Sequence, residues 1–398
     1  MAEQDAGPSL AVVQSVTGVF HHFDLARELD ARGYLKAIYS TFPWRRLARE
    51  RVPRNLVHTF PWIHTPQMLL GRRWRIPAPL DRAIAWRALL MFDNWVARHL
   101  PPCDVFVAIS GAGLASGRRA QSMGAKYVCD RGSSHLRFQG AILSDEYSRW
   151  GFHPVLVEPH EIAREEAEYE QADAITVPSE FARRSFLEMG VPAAKLHKIP
   201  YGVHLDRFQH VADPPKDRFE VLFVGQVGLR KGVPYLLHAF AQLKYPHKRL
   251  RIVGGMLPEL RRILPQLPQD NVEFLPHLPQ ERLAAMMSSS HVMVLPSIEE
   301  GLALVQAQAL ACGCPLISST NTGGEDLFTD GVEGFVVPIR SPEAIAARLQ
   351  QLADDAALQQ RMSEAALARV HQIGGWSQYG EAWIDLLHRL KPSPALIA

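Results

Sequence analysis

The sequence predicts two α/β domains in tandem, each a parallel sheet with helices on both faces, opening on a shared cleft. Three observations carry this expectation. At 398 residues the chain is too long for one ordinary core and suits two domains of roughly 100 to 200 residues. Short apolar runs alternate with longer amphipathic ones, the pattern of repeated strand–helix units. Near the middle, "VADPPKDR" at 211–218 breaks both periodicities with two prolines and mixed charge, and it reads as a linker.

In the first half, "LAVVQSV" is an expected strand and "HHFDLARELDARG" the helix after it; "DVFVAIS", "AKYVCD" and "ADAITVPS" are further strands, and "EFARRSFLEMG" a helix. In the second half the strands are "FEVLFVGQ", "LRIVGG", "VEFLPHL", "HVMVLPS" and "PLISS". Two Rossmann-like halves follow, residues 1–210 and 211–375. After Gly374-Gly375, residues 376–398 place Trp376, Tyr379, Trp383, Leu386 and Leu387 at helical spacing, so a one-sided helix is expected to pack back on the first domain.

The composition, 47% apolar and 21% charged, is that of a soluble globular protein, and no stretch reaches the roughly 20 apolar residues that span a bilayer. The early acids and the missing basic n-region speak against a secretory signal, so a cytoplasmic location is expected. Cys103, Cys129, Cys312 and Cys314 are scattered and lack zinc-ligand spacing, so reduced thiols and no metal are expected. Residues 43–87 hold ten arginines against Glu50 and Asp81, a local charge of 10 − 2 = +8, interleaved with Trp44, Phe60, Trp62, Leu69, Leu70, Trp74 and Trp86. Two readings of this segment stand: a surface for anionic headgroups or a phosphorylated acceptor, at the inner face of a membrane, and a solvated basic face with its aromatics turned to the core.

Ligands of open parallel sheets bind beyond the carboxyl ends of the strands, so the chemistry is sought in those loops. Gly111, Gly113 and Gly117 follow "DVFVAIS" as G-x-G-x-x-x-G, a weak dinucleotide signal with no acid placed for a ribose; Ser110-Gly111 reads as a tight turn at the cleft rim. No P-loop and no Asp-x-Asp pair for a diphosphate-bound cation occur. "VLFVGQVGLRKGVPYLLHAF" ends a strand at Gly225, presents Gln226, Arg230 and Lys231, and opens a helix after Gly232. Two cations beside a helix N-terminus suit a diphosphate. "PSIEEGLALVQAQALACG" places Glu299 and Glu300 at another strand–helix transition, with Gly301, Leu302, Ala303 and Leu304 as the helix start. Gln308 lies eight residues on, close enough for Glu300 and Gln308 to reach opposite ends of one elongated ligand. A cap and a plain helix former are the alternative readings of those two residues.

These stretches, with "ADAITVPSEFAR", "KLHKIPYGVHLDRF", "GGEDLFTDGVEGFVVP" and "TGVFHHFDLARELDARG", resemble in order and spacing the family 4 glycosyltransferases of the GT-B fold. The resemblance implies a nucleoside-diphosphate sugar donor bound by the second domain, an acceptor bound by the first, no bound metal and retention of anomeric configuration. By it, Lys231 holds the diphosphate, Glu300 contacts the donor sugar, Gln308 the ribose, and Val272, Phe274 and Pro276 line the base pocket, with Gly225, Gln226 and Gly254 in the same donor set. Gly18 and His21 match the family's first glycine loop. Asp130, Arg131 and His135 stand where relatives carry a cleft histidine: His135 is expected to meet the donor sugar, Arg131 a phosphate or anionic acceptor, and Asp130 the acceptor hydroxyl. Each also has a reading as a plain loop hydrogen-bonder.

Two departures from the family pattern stand out. Gln226 occupies the usual arginine position, with Arg230 expected to supply the charge, and Gln308 replaces a glutamate, which removes about 1 kcal/mol of charge assistance. The expected activity is a retaining glycosyltransferase acting on a glycan or lipid-linked acceptor, with Arg230, Lys231 and the helix start stabilising the leaving diphosphate, Glu299 a solvent-facing neighbour and no nucleic-acid partner. A degenerate nucleotide-sugar-binding subunit and a GT-B epimerase or phosphorylase are the alternatives.

Overall fold

A computed structural model describes residues 10–63, 65–66, 77–203 and 207–391. The first sheet contains β1 (Val12–Val16), β2 (Leu35–Ser40), β3 (Val57–Thr59), β4 (Val105–Ile109), β5 (Lys126–Asp130), β6 (Ala174–Val177) and β7 (Leu196–Lys198), in the order β3-β2-β1-β4-β5-β6-β7. The second contains β8 (Phe219–Val224), β9 (Lys248–Val253), β10 (Val272–Leu275), β11 (Val292–Leu295), β12 (Leu316–Ser319) and β13 (Gly334–Val337), in the order β10-β9-β8-β11-β12-β13. Every named pairing is parallel. Strands such as "VMVL" are buried along their whole length because helices cover both faces.

Both sheets reverse direction of growth beside their first strand, between β1 and β4 and between β8 and β11. At such a switch point the helices after adjacent strands lie on opposite faces, leaving a crevice at the carboxyl ends. The site is therefore expected at the loops after β1, β4, β8 and β11.

Gly113 and Gly117 serve packing. A Cβ on Gly113 would lie 2.3 Å from the Tyr127 hydroxyl, and one on Gly117 2.7 Å from its ring. Glycine lets the helix Leu114–Ser122 lie flat on that buried tyrosine.

The helix Trp376–Leu390 buries Tyr379, Trp383, Leu386 and Leu387 in one core with Val12, Phe23 and Leu29 of the first domain. The chain thus crosses between domains twice, between β7 and β8 and again at Gly374-Gly375. The crossings touch: a Cβ on Gly202 would meet the backbone of Gly375 and Trp376 at 2.6 Å.

All four cysteines are free; Cys129, Cys312 and Cys314 are buried and Cys103 is half-buried. No described helix is long and apolar enough to cross a membrane. In the basic segment, Phe60 packs beside Phe92 and Trp95, Trp44 lies under the Arg54 guanidinium at 5.0 Å, and Trp62 is 74% exposed. Leu69, Leu70, Arg72, Arg73, Trp74 and Arg75 lie outside the described residues.

Candidate active site

A cleft of about 960 Å³ opens at the carboxyl ends of β8, β9 and β11. Gly225, Gln226, Lys231, Gly254, Glu300, Leu302, Ala303, Leu304 and Gln308 all line it. The loops after β8 and β9 interlock closely: a Cβ on Gly254 would fall 1.8 Å from the Gly225 carbonyl oxygen. Gly232 caps the helix Val233–Gln242 with φ +67°, and a Cβ there would be 1.9 Å from the Pro296 carbonyl oxygen. These contacts set Lys231 across from Glu300, and the two form an ion pair at the cleft wall.

The helix after β11 begins at Leu304, with Ala303 as its N-cap. Glu300 therefore sits in the connecting loop, not on the first helical turn, and reaches the cleft through that loop. Gly301 does not line the cleft. It packs on the first domain, where a Cβ would meet the Gly132 carbonyl oxygen at 2.0 Å, and its own carbonyl accepts from the Ser179 hydroxyl at 2.5 Å.

Three second-domain expectations change. Arg230 is absent from the cleft wall and pairs with Glu299 at 2.8 Å. Glu299 is buried, not solvent-facing: it accepts from Ser133, Ser134 and Gln139 of the first domain at 2.7, 2.6 and 2.8 Å. Burial pushes its carboxyl up, but Arg230 and these donors outweigh that and hold it below the usual carboxylate range. Val272, Phe274 and Pro276 are absent from the cleft wall; Val272 borders a separate hollow at the other end of the sheet, beside Arg249. His277, Leu278, Pro279 and Leu283, just past β10, form that wall instead, with Phe208 from the interdomain segment.

A second cavity of about 530 Å³ lies on the first-domain side and shares Leu302 and Leu304 with the cleft. Phe20, His21, Asp24, Ser110, Arg131, Tyr201 and Trp376 line it. His21 Nε2 and Asp130 Oδ2 are 2.5 Å apart, and the Thr176 hydroxyl donates to the other carboxylate oxygen at 2.8 Å. Burial pushes Asp130 up, yet His21 and Thr176 together hold it low. His22, fully buried, is driven down to about 3 by burial and stays neutral.

His21, His22 and Asp130 form a trio with ligand atoms within 4.8 Å. Two ligands about a tetrahedral zinc stand roughly 3.3 Å apart, given bonds of about 2.0 to 2.1 Å, so the 2.5 Å contact is a hydrogen bond in this structure.

The remaining first-domain candidates are placed differently from expectation. His135 is buried between Tyr169 and Phe186. It caps the helix Leu136–Arg149 by accepting from the Arg137 amide, and burial lowers its pKa to about 4. It does not face the cleft. Arg131 borders the second cavity, but its guanidinium donates to Ser134, Ser110, Glu165 and Gln139 and pairs with Glu165 at 3.1 Å. Burial disfavours its charge, and Glu165 more than restores it. Gly18, φ +94°, forms a turn whose carbonyl accepts from Ser40, and the Gly111 amide donates to Glu168 at 2.7 Å; neither borders the second cavity.

Residues 18–207 match the family model described as Glycosyltransferase Family 4, and residues 206–369 match that of Glycosyl transferases group 1. The chain belongs to the family 4 glycosyltransferases. This family 4 chain is 34% identical over 215 residues to the D-inositol 3-phosphate glycosyltransferase of Streptomyces avermitilis, covering 48% of this chain and 46% of that one. It is 25% identical over 297 residues to the putative colanic acid biosynthesis glycosyltransferase WcaL of Salmonella typhimurium, covering 68% and 70%. It spans about half the length of the inositol-phosphate relatives that it matches. Among solved structures, sucrose-phosphate synthase from Thermosynechococcus elongatus has TM-score 0.70 at 22% identity, over 96% of this chain and 99% of that one. HepE of Anabaena, in complex with UDP, has TM-score 0.67 at 16% identity, over 96% and 100%. The fold of the family 4 chain is GT-B.

Proposed function

We propose that the protein is a retaining glycosyltransferase that moves a sugar from a nucleoside-diphosphate sugar to an acceptor hydroxyl, in polysaccharide, glycolipid or lipid-linked glycan assembly at the inner face of a membrane. One observation carries the reading: a cleft with Lys231 and Glu300 at the β8/β11 switch point runs into a second cavity through the shared Leu302 and Leu304. A donor in the first and an acceptor in the second would meet at that junction. The UDP complex of HepE supports a nucleotide in the first.

In this reading the base lies against His277–Leu283, the ribose at Gln308, and the diphosphate at Lys231 and the amino end of the helix Leu304–Ala311. The lysine and the helix dipole supply positive potential where negative charge grows, so the reaction needs no bound metal. The bond from the anomeric carbon to phosphate breaks, and the bond to the acceptor oxygen forms on the same face. The hydroxyl proton passes to the leaving phosphate oxygen. The protein's part is mainly to hold both substrates in line.

Titration calorimetry with UDP- and GDP-sugars, followed by a turnover assay and NMR of the product anomer, tests the proposal. Lys231→Ala is expected to lower kcat by about 10² to 10³, with chelator leaving the wild-type rate unchanged. An undiminished rate in Lys231→Ala sinks the assignment, and nucleotide-sugar binding without transfer favours a binding subunit, which the neutral Gln226 and Gln308 would suit.

A further inference from the structure

The second cavity is read above as the acceptor site, and the following inference rests on that reading. Its wall has an unusual charge balance for a site that handles phosphorylated compounds. Among the described residues that line it, Arg131 is the one cation, and it is neutralised by Glu165 at 3.1 Å while Ser110, Ser134 and Gln139 take its other N–H groups. The carboxylates at the wall are Asp24, paired with Arg27, and Asp130 just behind His21. Among the described residues of this wall no cation is left over to meet an anion, and desolvating a phosphate against such a wall is unfavourable.

An apolar face stands at the mouth instead. Phe20 is 61% exposed and has φ +43°, a left-handed conformation that is costly for a bulky side chain. It therefore turns an aromatic ring toward water at a backbone cost, between Gly18 and His21. Trp376 and Tyr201 border the same cavity, and so does His21, whose Nε2 is held by Asp130. An aromatic platform beside a polar, charge-balanced floor suits the apolar face of a sugar ring.

We propose that the acceptor group entering this cavity is an uncharged sugar or polyol, its ring face on Phe20 and its attacking hydroxyl at His21, and that a phosphorylated ring is excluded. Any phosphate of a larger acceptor then lies outside the cavity.

The test pairs neutral and phosphorylated probes, myo-inositol against D-inositol 3-phosphate and methyl glucoside against glucose 6-phosphate, with the nucleotide sugar that calorimetry selects. Higher kcat/KM for the neutral member of each pair is expected. In Phe20→Gly, which keeps the left-handed turn without strain, the acceptor KM should rise about tenfold with the donor KM unchanged, and Phe20→Tyr should restore it. Preference for the phosphorylated probes, or an unaltered acceptor KM in Phe20→Gly, overturns the inference and leaves the transferase reading standing. Failure to bind any nucleotide sugar overturns the transferase reading and this inference with it.

Discussion

Glu299 and Glu300 are adjacent, yet one carboxylate serves the domain boundary and the other the cleft wall. The family pattern singles out Glu300; the burial of Glu299 depends on Ser133, Ser134 and Gln139, 160 to 166 positions away, and no local spacing encodes that. His135 shows the same limit. A histidine after a strand reads as a cleft group, but its Nδ1 accepts from the Arg137 amide, and protonation would remove that acceptor. His135 and His291, each lowered to about 4 by burial, and His22, lowered to about 3, are neutral when folded. The unfolded chain takes up these protons first, so stability is full above about pH 6.5 and falls as pH drops below it, by on the order of 1 kcal/mol per pH unit per histidine. Urea midpoints at pH 7 and 5 should show the loss, and His135→Gln should flatten it; equal midpoints at both pH values would contradict it.

At the scale of elements, the central strands of both sheets were legible because buried parallel strands are continuous apolar runs. Among those not singled out, β3 and β7 have three residues each, too few to carry a period. The strand–loop–helix unit from β8 through Gly225 to the helix Val233–Gln242 was legible, though the direction of Arg230 was not. Glycines record contacts that sequence alone leaves unexplained. Gly254→Ala drives a methyl into the Gly225 carbonyl, 1.8 Å away, at a φ of +146°, and is expected to cost about 2 to 4 kcal/mol. It should weaken nucleotide-sugar binding as well. Calorimetry and thermal unfolding check both, and wild-type values in this variant would show that the loops are not interlocked.

For the whole molecule, Glu299 is a hydrogen-bonded clamp between the loop after β5 and the loop after β11, accepting from Ser133 and Ser134. A second clamp joins Arg340 to Glu146 at 2.6 Å. Glu299→Gln keeps the shape but leaves the partly exposed Arg230 without its charge partner and weakens the bonds from Ser133, Ser134 and Gln139, a loss of about 1 to 3 kcal/mol. The expected result is a larger radius of gyration by small-angle X-ray scattering and a fall in kcat greater than the rise in donor Kd. An unchanged scattering curve with unchanged kcat would show that Glu299 does not hold the domains together.

The contact of Gly202 with Gly375 and Trp376 has a mechanical meaning. Two covalent crossings that meet at one point form a pintle, the natural axis for any swing of one domain against the other. Tyr201 and Trp376 flank that pintle and also border the second cavity, so a ligand in that cavity would sit near the axis. Lys231 and Glu300 ride on the swinging leaf. A few degrees of rotation there amount to about an ångström at the bond being exchanged, enough to change the rate by about 10²-fold. In the proposed reaction, closure of that leaf over an acceptor near the axis would set how the two substrates line up.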